Sequence, residues 1–325
     1  MKEGNDYPSY LKAYRDGSLS AACSRLVARL KPCDLCPRRC GVNRLDGGAG
    51  FCGSGRLASV FTYQRHMGEE PVISGERGSG TVFFSHCNMK CIYCQNYRFS
   101  SLGEGVECEP ERLAAIFMEI QEMGCHNLNL VTPSHVVPQI LEALILAIPQ
   151  GFSLPIVYNT SGYESADVIS ELAGIVDIYL PDMRYGDDGA AMRCSNAPGY
   201  VAANRAAVAE MFRQAGPLAV EGGVARRGMI VRHLVLPGGL SGTATVFRFI
   251  AERLSKDIHI SLMRQYNPVY KAAGLPPLDR RITDDEYADA VKLLEEYGLE
   301  NGWIQDEHGD KEVETFLGEN FSSMA

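Results

Sequence analysis

Seven of the eleven cysteines fall into two clusters, and their spacing sets the chemistry open to the chain. The tighter cluster is Cys87-x3-Cys91-x2-Cys94, within Ser85-His-Cys-Asn-Met-Lys-Cys-Ile-Tyr-Cys-Gln-Asn96. Three soft thiolates this close suit an iron–sulfur cluster. No His completes the set at zinc-finger spacing, and no fourth Cys is near in sequence. A four-iron cubane held here would keep one iron without a protein ligand. That iron could chelate the amino and carboxylate groups of a substrate. The plainer alternative is three structural or zinc-binding cysteines on a loop.

The second cluster is Cys33-x2-Cys36-x3-Cys40-x11-Cys52, interspersed with Gly41, Gly47, Gly48 and Gly50. Four thiolates in so short a span could close a tetrahedral site, and metal would then supply much of the local folding energy. Zinc and a second iron–sulfur cluster are both chemically acceptable. A second cluster could relay electrons to the first. The other four, Cys23, Cys108, Cys125 and Cys194, stand alone and read as small buried hydrophobes. An odd number of cysteines, without a signal for export, argues against disulfides.

The elements that must position these groups follow from the apolar pattern. Up to about Lys31 a short amphipathic helix region carries Leu19, Leu26, Val27 and Leu30 on one face. Residues 32–80 are rich in Gly and Cys with little periodicity. From Thr81 onward, apolar runs alternate with amphipathic helices. Strands are expected at Thr81–Ser85, Asn127–Val131, Pro155–Asn159, Ile175–Leu180, Met229–Leu236 and Ile258–Met263. Helices should begin near Pro110, Ser134, Ser165, Gly199 and Ser241, with a last one over Asp284–Tyr297 after Thr283. Such alternation means parallel strands joined by crossover helices. Polar and Gly-rich residues follow the strands, at the ends where barrel-like α/β folds place their sites.

Composition excludes several classes. The hydrophobic fraction, 46%, and charged fraction, 22%, are those of an ordinary globular chain. No run approaches the ~20 apolar residues needed to span a bilayer. Met1 to Tyr14 contains no apolar signal segment, so a cytoplasmic location is expected. The net charge is −9, and Arg clusters only in pairs (Arg38–Arg39, Arg226–Arg227, Arg280–Arg281), which argues against a nucleic-acid-binding stripe. The acidic segment Asp306, Glu307, Asp310, Glu312 and Glu314 reads as a solvated face.

The Cys-x3-Cys-x2-Cys loop, with Tyr93 just before its last Cys, resembles the radical S-adenosylmethionine superfamily, and the likeness runs from about Cys33 to Trp303. It is closest to homologues of the pyruvate formate-lyase activating enzyme. The stretches that carry it include Gly68-Glu-Glu-Pro71, Gly78-Ser-Gly-Thr-Val-Phe-Phe-Ser85 and Cys94-Gln-Asn96. Asn129-Leu-Val-Thr-Pro-Ser-His135, Tyr179-Leu-Pro-Asp-Met-Arg184, Val231-Arg-His-Leu-Val-Leu-Pro-Gly238 and Gln265-Tyr266 extend it. The resemblance implies a [4Fe–4S] cluster on Cys87, Cys91 and Cys94 that binds S-adenosylmethionine through its open iron. One electron then breaks the sulfonium–C5′ bond, and the 5′-deoxyadenosyl radical abstracts hydrogen from a substrate.

The resemblance also assigns positions around that cofactor. Thr132-Pro-Ser-His135 corresponds to the family's glycine–glycine–glutamate motif, with its acidic residue missing; backbone carbonyls or the Thr132 hydroxyl would substitute. Asn159 matches a polar position that contacts the methionyl group. Arg184 and Arg232 match basic positions that grip its carboxylate, a task suited to the guanidinium fork. Tyr93 would pack near the adenine through its backbone. Each has a structural alternative: Arg184 in a surface ion pair, Arg232 on a strand-end carbonyl, His135 capping a helix. On the substrate side the candidates are His66, Glu69, Glu70, His233, Gln265 and Tyr266, with Glu70, a carboxylate before a Pro, first among them.

The expected architecture is thus α/β. Residues 81–325 would form a partial (β/α)6 TIM-like barrel of the radical S-adenosylmethionine type. Residues 1–80 would form a helix and a small Cys-rich metal-binding module packed near its opening. The implied function is hydrogen abstraction by the adenosyl radical, as an activase that acts on a glycine of a partner enzyme. Alternatives are modification of a small molecule or peptide, and a non-catalytic electron-transfer iron–sulfur protein. The implied partners are a one-electron donor such as flavodoxin or ferredoxin and a protein substrate, with no nucleic acid and no membrane. The single quartet departs from the two ferredoxin-type cysteine runs of the activating enzymes, which leaves the substrate open.

Overall fold

Each of the six expected strands forms, because each is an apolar run that can be covered on both faces, as parallel strands are. The structure, a computed structural model, describes residues 7–305, so the acidic segment beyond Gln305 lies outside the described residues. The chain starts with helices α1 (Tyr10–Arg15) and α2 (Ser18–Ala28), and α2 buries Leu19, Ala22, Cys23 and Leu26. Irregular chain then carries the cysteine quartet to strand β1 (Ala58–His66) and the one-turn helix α3 (Pro71–Ser74). Strand β2 (Ser79–Phe84) leads into the three-cysteine loop, followed by α4 (Tyr97–Ser100), β3 (Val106–Cys108) and α5 (Pro110–Glu122).

The repeating part continues with β4 (Leu128–Val131), α6 (Val137–Ala147), β5 (Ile156–Thr160), α7 (Ala166–Ser170) and β6 (Ile178–Pro181). Next come α8 (Asp188–Ser195), α9 (Tyr200–Ala215) and β7 (Ala219–Glu221), then β8 (Val224–Leu234) and α10 (Thr243–Phe249). Strand β9 (His259–Met263), α11 (Asp284–Tyr297) and β10 (Gly302–Ile304) complete the described chain. Helix α11 starts as the sequence indicated: the Thr283 hydroxyl accepts from Glu286 N, and the Glu286 carboxylate reaches back to Thr283 N.

The ten strands of the described residues join one sheet, ordered β10-β9-β8-β6-β5-β4-β2-β1-β3, with β7 paired to β8. From β2 through β10 along that order the pairing is parallel; β1 is antiparallel to β2 and β3. Strand β1 is the main departure from the sequence reading. Its Ser59, Thr62, Gln64 and Arg65 dilute the apolar signal, and only pairing with β2 and β3 turns Ala58–His66 into a strand.

Side chains alternate across the sheet. One face carries Leu128, Leu130, Tyr158, Tyr179, Met229 and Val231 against the helices, within the large core that also contains Leu113, Phe117, Leu141 and Val208. Gly80 permits close approach there, since a Cβ at that position would lie 2.1 Å from Ile120 Cγ2 of α5. The other face is covered from within by α3. Its Ile73 packs with Val157, Ile178, Leu180, Ala225 and Ile230. Two residues further along the same strands stand Asn159, Asp182 and Arg232, so the fold places a polar layer directly beyond that apolar plug.

Candidate active site

The three-cysteine loop leaves the C-terminal end of β2, and its turns use left-handed backbone at His86 (φ 74°) and Lys90 (φ 59°). Cys87 and Cys91 are buried and Cys94 is half-buried. Their sulfurs are met by donors. Cys91 Sγ accepts from Arg184 Nη1 at 3.1 Å and from Ser195 Oγ at 2.9 Å. Cys87 Sγ accepts from Met89 N at 3.3 Å, and Cys94 Sγ lies 3.2 Å from Ser100 Oγ. Burial, and then the neighbouring Cys91, pushes the Cys87 and Cys94 thiols up. A metal must therefore displace protons to bind, as it does at thiolate sites generally.

Among the described residues, no three His, Cys, Asp or Glu side chains are grouped as the ligands of a metal ion. A four-iron cluster takes its thiolates from different corners of a cube and so needs them farther apart than a single ion does. The donor set fits such a cluster: three soft thiolates, shielded from solvent, with N–H and O–H groups on the sulfurs that would stabilise their negative charge.

Beside Cys91 lies a buried ion network. Asp182, 4% exposed, accepts from Arg184 Nε at 2.9 Å and Nη2 at 2.6 Å through Oδ2, and from Arg232 Nε at 2.9 Å through Oδ1. Burial would raise its pKa, but Arg232 and Arg184 hold it below the usual carboxylate range. Arg232 also donates from Nη2 to Asn159 Oδ1 at 2.6 Å and stands 3.6 Å from Glu69 Oε2. Glu69 Oε1 in turn accepts from Asn129 Nδ2 at 3.0 Å and Asn159 Nδ2 at 3.3 Å. Arg184, Arg232 and Asn159 thus come together at the C-terminal ends of β5, β6 and β8, one step from the cysteines.

The other candidates lie elsewhere. Thr132 holds a left-handed turn (φ 59°), and its N–H donates to Asn159 O, so only its backbone touches the network. Tyr93 is buried in a tyrosine cluster, with its hydroxyl 2.5 Å from Tyr185 Oη and its ring edge-on to Tyr266. Tyr266 itself donates to Leu278 O, and Gln265 O accepts from Gln95 Nε2. His233 is buried between Met183 O and Thr243 Oγ1, and burial pulls its pKa down to about 4. His66 ends β1, opposite Ser79.

His135 points toward the quartet. Its Nε2 donates to Ser85 O at 2.8 Å, while its buried Nδ1 has no partner and the residue lines the quartet's cavity. Cys33, Cys36, Cys40 and Cys52 all line that cavity, which has about 10 Å³ of room. Arg44, 1% exposed, fixes its wall through bonds to Gly55 O and His135 O. Phe51 N and Ser54 N donate to Cys40 Sγ and Cys52 Sγ at 3.5 and 3.4 Å. Gly50 is required beside them, because a Cβ there would come within 2.9 Å of Cys40 Sγ. The quartet is pinned to the three-cysteine loop by Arg38, which donates to Asn88 O and Asn196 O and stacks 3.3 Å over Phe51.

Asp182, Ser195 and Tyr185 are site residues that the sequence did not single out. Ser195 and Tyr185 take their roles from Cys91 and Tyr93 on the three-cysteine loop and Asp182 partly from Arg232 on β8, so they leave no local pattern. Cys194 is another: it packs in the same cluster as Cys87 and Cys91, within electrostatic reach of Cys91.

The sequence is 30% identical over 280 residues to an uncharacterized protein of Methanocaldococcus jannaschii, MJ0674, with 83% of this chain and 76% of that protein covered. The chain belongs to the family of that archaeal protein. No family model matches. Among solved structures, the FeFe-hydrogenase maturase HydG from Carboxydothermus hydrogenoformans is similar at a TM-score of 0.47 and 15% identity, over 70% of this chain and 53% of the maturase. The chain spans about half the length of that enzyme, and a likeness so remote carries no functional argument. No helix among the described residues is long and apolar enough to cross a membrane.

Proposed function

We propose that the chain is a radical S-adenosylmethionine enzyme whose parallel sheet is an open (β/α)6 barrel, with the cluster at its C-terminal edge. The observation that carries this reading is the Cys87–Cys91–Cys94 loop, with donors on each sulfur, beside a pair of arginines held by one aspartate. When bound, a [4Fe–4S] cluster with one iron free of protein ligands supplies the electron that splits S-adenosylmethionine into methionine and a 5′-deoxyadenosyl radical. The protein's part is orientation, dryness and tuning. Arg184 and Ser195 set the charge on Cys91 by donating to its sulfur. Arg184 and Arg232, fixed in place by Asp182, put positive charge where a carboxylate would bind, and the Asn159 amide stands beside them. Buried tyrosines around Tyr93 keep water from that side.

Hydrogen abstraction from a glycine of a partner protein is the substrate reading that follows from the resemblance; a small molecule or peptide is the alternative. The electron would come from a flavodoxin or ferredoxin. In the same reading the quartet holds a second cluster, or zinc once its thiolates draw together around a single ion; iron, sulfide and zinc analysis of wild type and Cys36→Ser tells them apart.

One observation favours a second reading. Cys194 stands near Cys91, and as a fourth thiolate it would close the cluster into an electron-transfer centre. The deciding experiment is anaerobic reconstitution, dithionite reduction and addition of S-adenosylmethionine, with chromatography for 5′-deoxyadenosine. The radical reading predicts product from wild type and none from Cys91→Ala. A fully loaded wild type that makes no product overturns it.

A further inference from the structure

The polar layer beyond α3 has a charge imbalance. It contains three buried carboxylates, Glu69, Glu70 and Asp182, against two guanidiniums, Arg184 and Arg232. Asp182 is matched by both arginines, and Glu69 by Asn129, Asn159 and Arg232. Glu70 is left over. It is 8% exposed, and its Oε2 is buried without a hydrogen-bond partner. Across Glu69, the fully buried Asn129 turns its Nδ2 to that carboxylate and leaves its own Oδ1 unpartnered as well. Two buried acceptors of the layer, Glu70 Oε2 and Asn129 Oδ1, thus have no donor.

Buried acceptors without donors and a buried excess charge are each costly, by about 1–3 kcal/mol for an unmet polar group. In the free protein a proton answers part of this, since burial pushes the Glu70 carboxyl up against the opposing pull of Arg232. The charged groups facing Glu70 are Arg232 on β8 and Glu69 on its own loop, with the neutral Ser261 hydroxyl of β9 as a hydrogen-bond partner; Asp182, after β6, faces Glu69 instead. A proton supplies one donor. An ammonium supplies three and cancels the excess charge, which matches what the layer lacks.

We propose that Glu70, with the Asn129 carboxamide oxygen across Glu69, recognises the ammonium group of a small ligand. That ammonium has two sources: the methionyl amino group of S-adenosylmethionine bound to the cluster-free chain, where no iron takes its lone pair, or the amine of a separate substrate. The inference rests on the proposed function only in naming the first. It also accounts for a sequence feature. The Thr132–His135 turn has no acidic residue, and Glu70 delivers one from the loop before β2 to the same polar layer.

The test is titration calorimetry on the anaerobically purified full chain. The probes are S-adenosylmethionine, its analogue lacking the α-amino group, and a series of linear primary amines with the alcohols of equal length. Glu70→Gln keeps the size and removes the charge. The expected result is that at least one amine-bearing probe loses tenfold or more in affinity with this variant. At pH 6.5, binding to wild type should also release a proton, read from buffers of different ionisation enthalpy, and Glu70→Gln should abolish the release. Asn129→Leu should weaken the same probe by a smaller factor and, with thermal melting of both variants, separates binding from folding.

If only S-adenosylmethionine loses affinity, and the desamino analogue binds wild type as weakly as the variant binds the cofactor, the amine is the cofactor's. If a simple amine binds alongside saturating S-adenosylmethionine, it belongs to a separate substrate. Equal affinity of wild type and a folded Glu70→Gln for every amine overturns the inference, as does equal binding of amines and alcohols, or no amine binding at all. Turnover of S-adenosylmethionine with unchanged affinity would defeat this inference and leave the radical reading standing.

Discussion

Asp182→Asn tests the structural logic of the site without needing the cluster. The carboxylate is the hub for Arg184 and Arg232, with contacts of 2.6–2.9 Å on both oxygens. Asparagine keeps one acceptor oxygen but turns an NH2 group toward one guanidinium, so a buried cation faces a donor. Breaking a buried pair by removing one partner costs about 3–5 kcal/mol. Arg232 retains Asn159 and Glu69, so the lower end, about 3 kcal/mol, is expected. Urea unfolding at pH 7, followed by circular dichroism, measures the gap. The pH dependence gives an independent check. Because the folded pKa of Asp182 is depressed, its contribution is full above the unfolded Asp value of about 3.9 and fades as pH falls through the folded value. The gap should therefore be constant from pH 8 to 5 and close below pH ~4. A gap under about 1 kcal/mol at pH 7, or one that does not narrow in acid, refutes the reasoning.

Glu164 is fully buried, and burial lifts its carboxyl to about 7 despite hydroxyl donors from Ser134 and Thr160. Since the folded pKa is raised, its stabilising proton is lost as pH climbs, so wild type should lose about 3 kcal/mol more between pH 4.5 and 7.5 than Glu164→Gln; parallel stability curves would contradict this. Gly80→Ala should lower stability by about 1–3 kcal/mol through overpacking on Ile120, seen as a lower urea midpoint, and an unchanged midpoint would mean that α5 does not seat there. Cys194→Ser should leave iron and sulfide content, and 5′-deoxyadenosine formation, at wild-type levels; loss of the cluster would make Cys194 a ligand and favour the electron-transfer reading.

The parallel part of the fold was legible because it is written locally. Val157, Ile178, Ile230 and their neighbours form apolar runs wherever a strand is covered on both sides, and Gly, Pro or a capping Thr marks where helices begin. Strand β1 was not, since its polar residues are tolerated only by pairing with β2 and β3. The same division holds in the site. Cys87, Cys91 and Cys94 are near in sequence, so spacing alone exposed them, and the resemblance brought Asn159, Arg184 and Arg232 into view. Their hub, Asp182, carries no local mark, because its meaning depends on Arg232, fifty residues away. The resemblance sets His135 among the cofactor residues by its place after β4, but the turn at Thr132–Pro133 carries its ring to Ser85 O and the quartet's wall. Glu69 and Glu70 stand out in the sequence as adjacent carboxylates before a Pro, yet nothing there tells that α3 folds back under the sheet and lifts them into the polar layer.

Electron paramagnetic resonance of the reduced, reconstituted protein, before and after S-adenosylmethionine is added, tests most directly whether an iron on the Cys87–Cys91–Cys94 loop is open to ligand. The account predicts a reduced-cluster signal that changes on addition in wild type and is missing in Cys91→Ala with the quartet intact. A wild-type protein with full iron and sulfide whose spectrum does not move would contradict it.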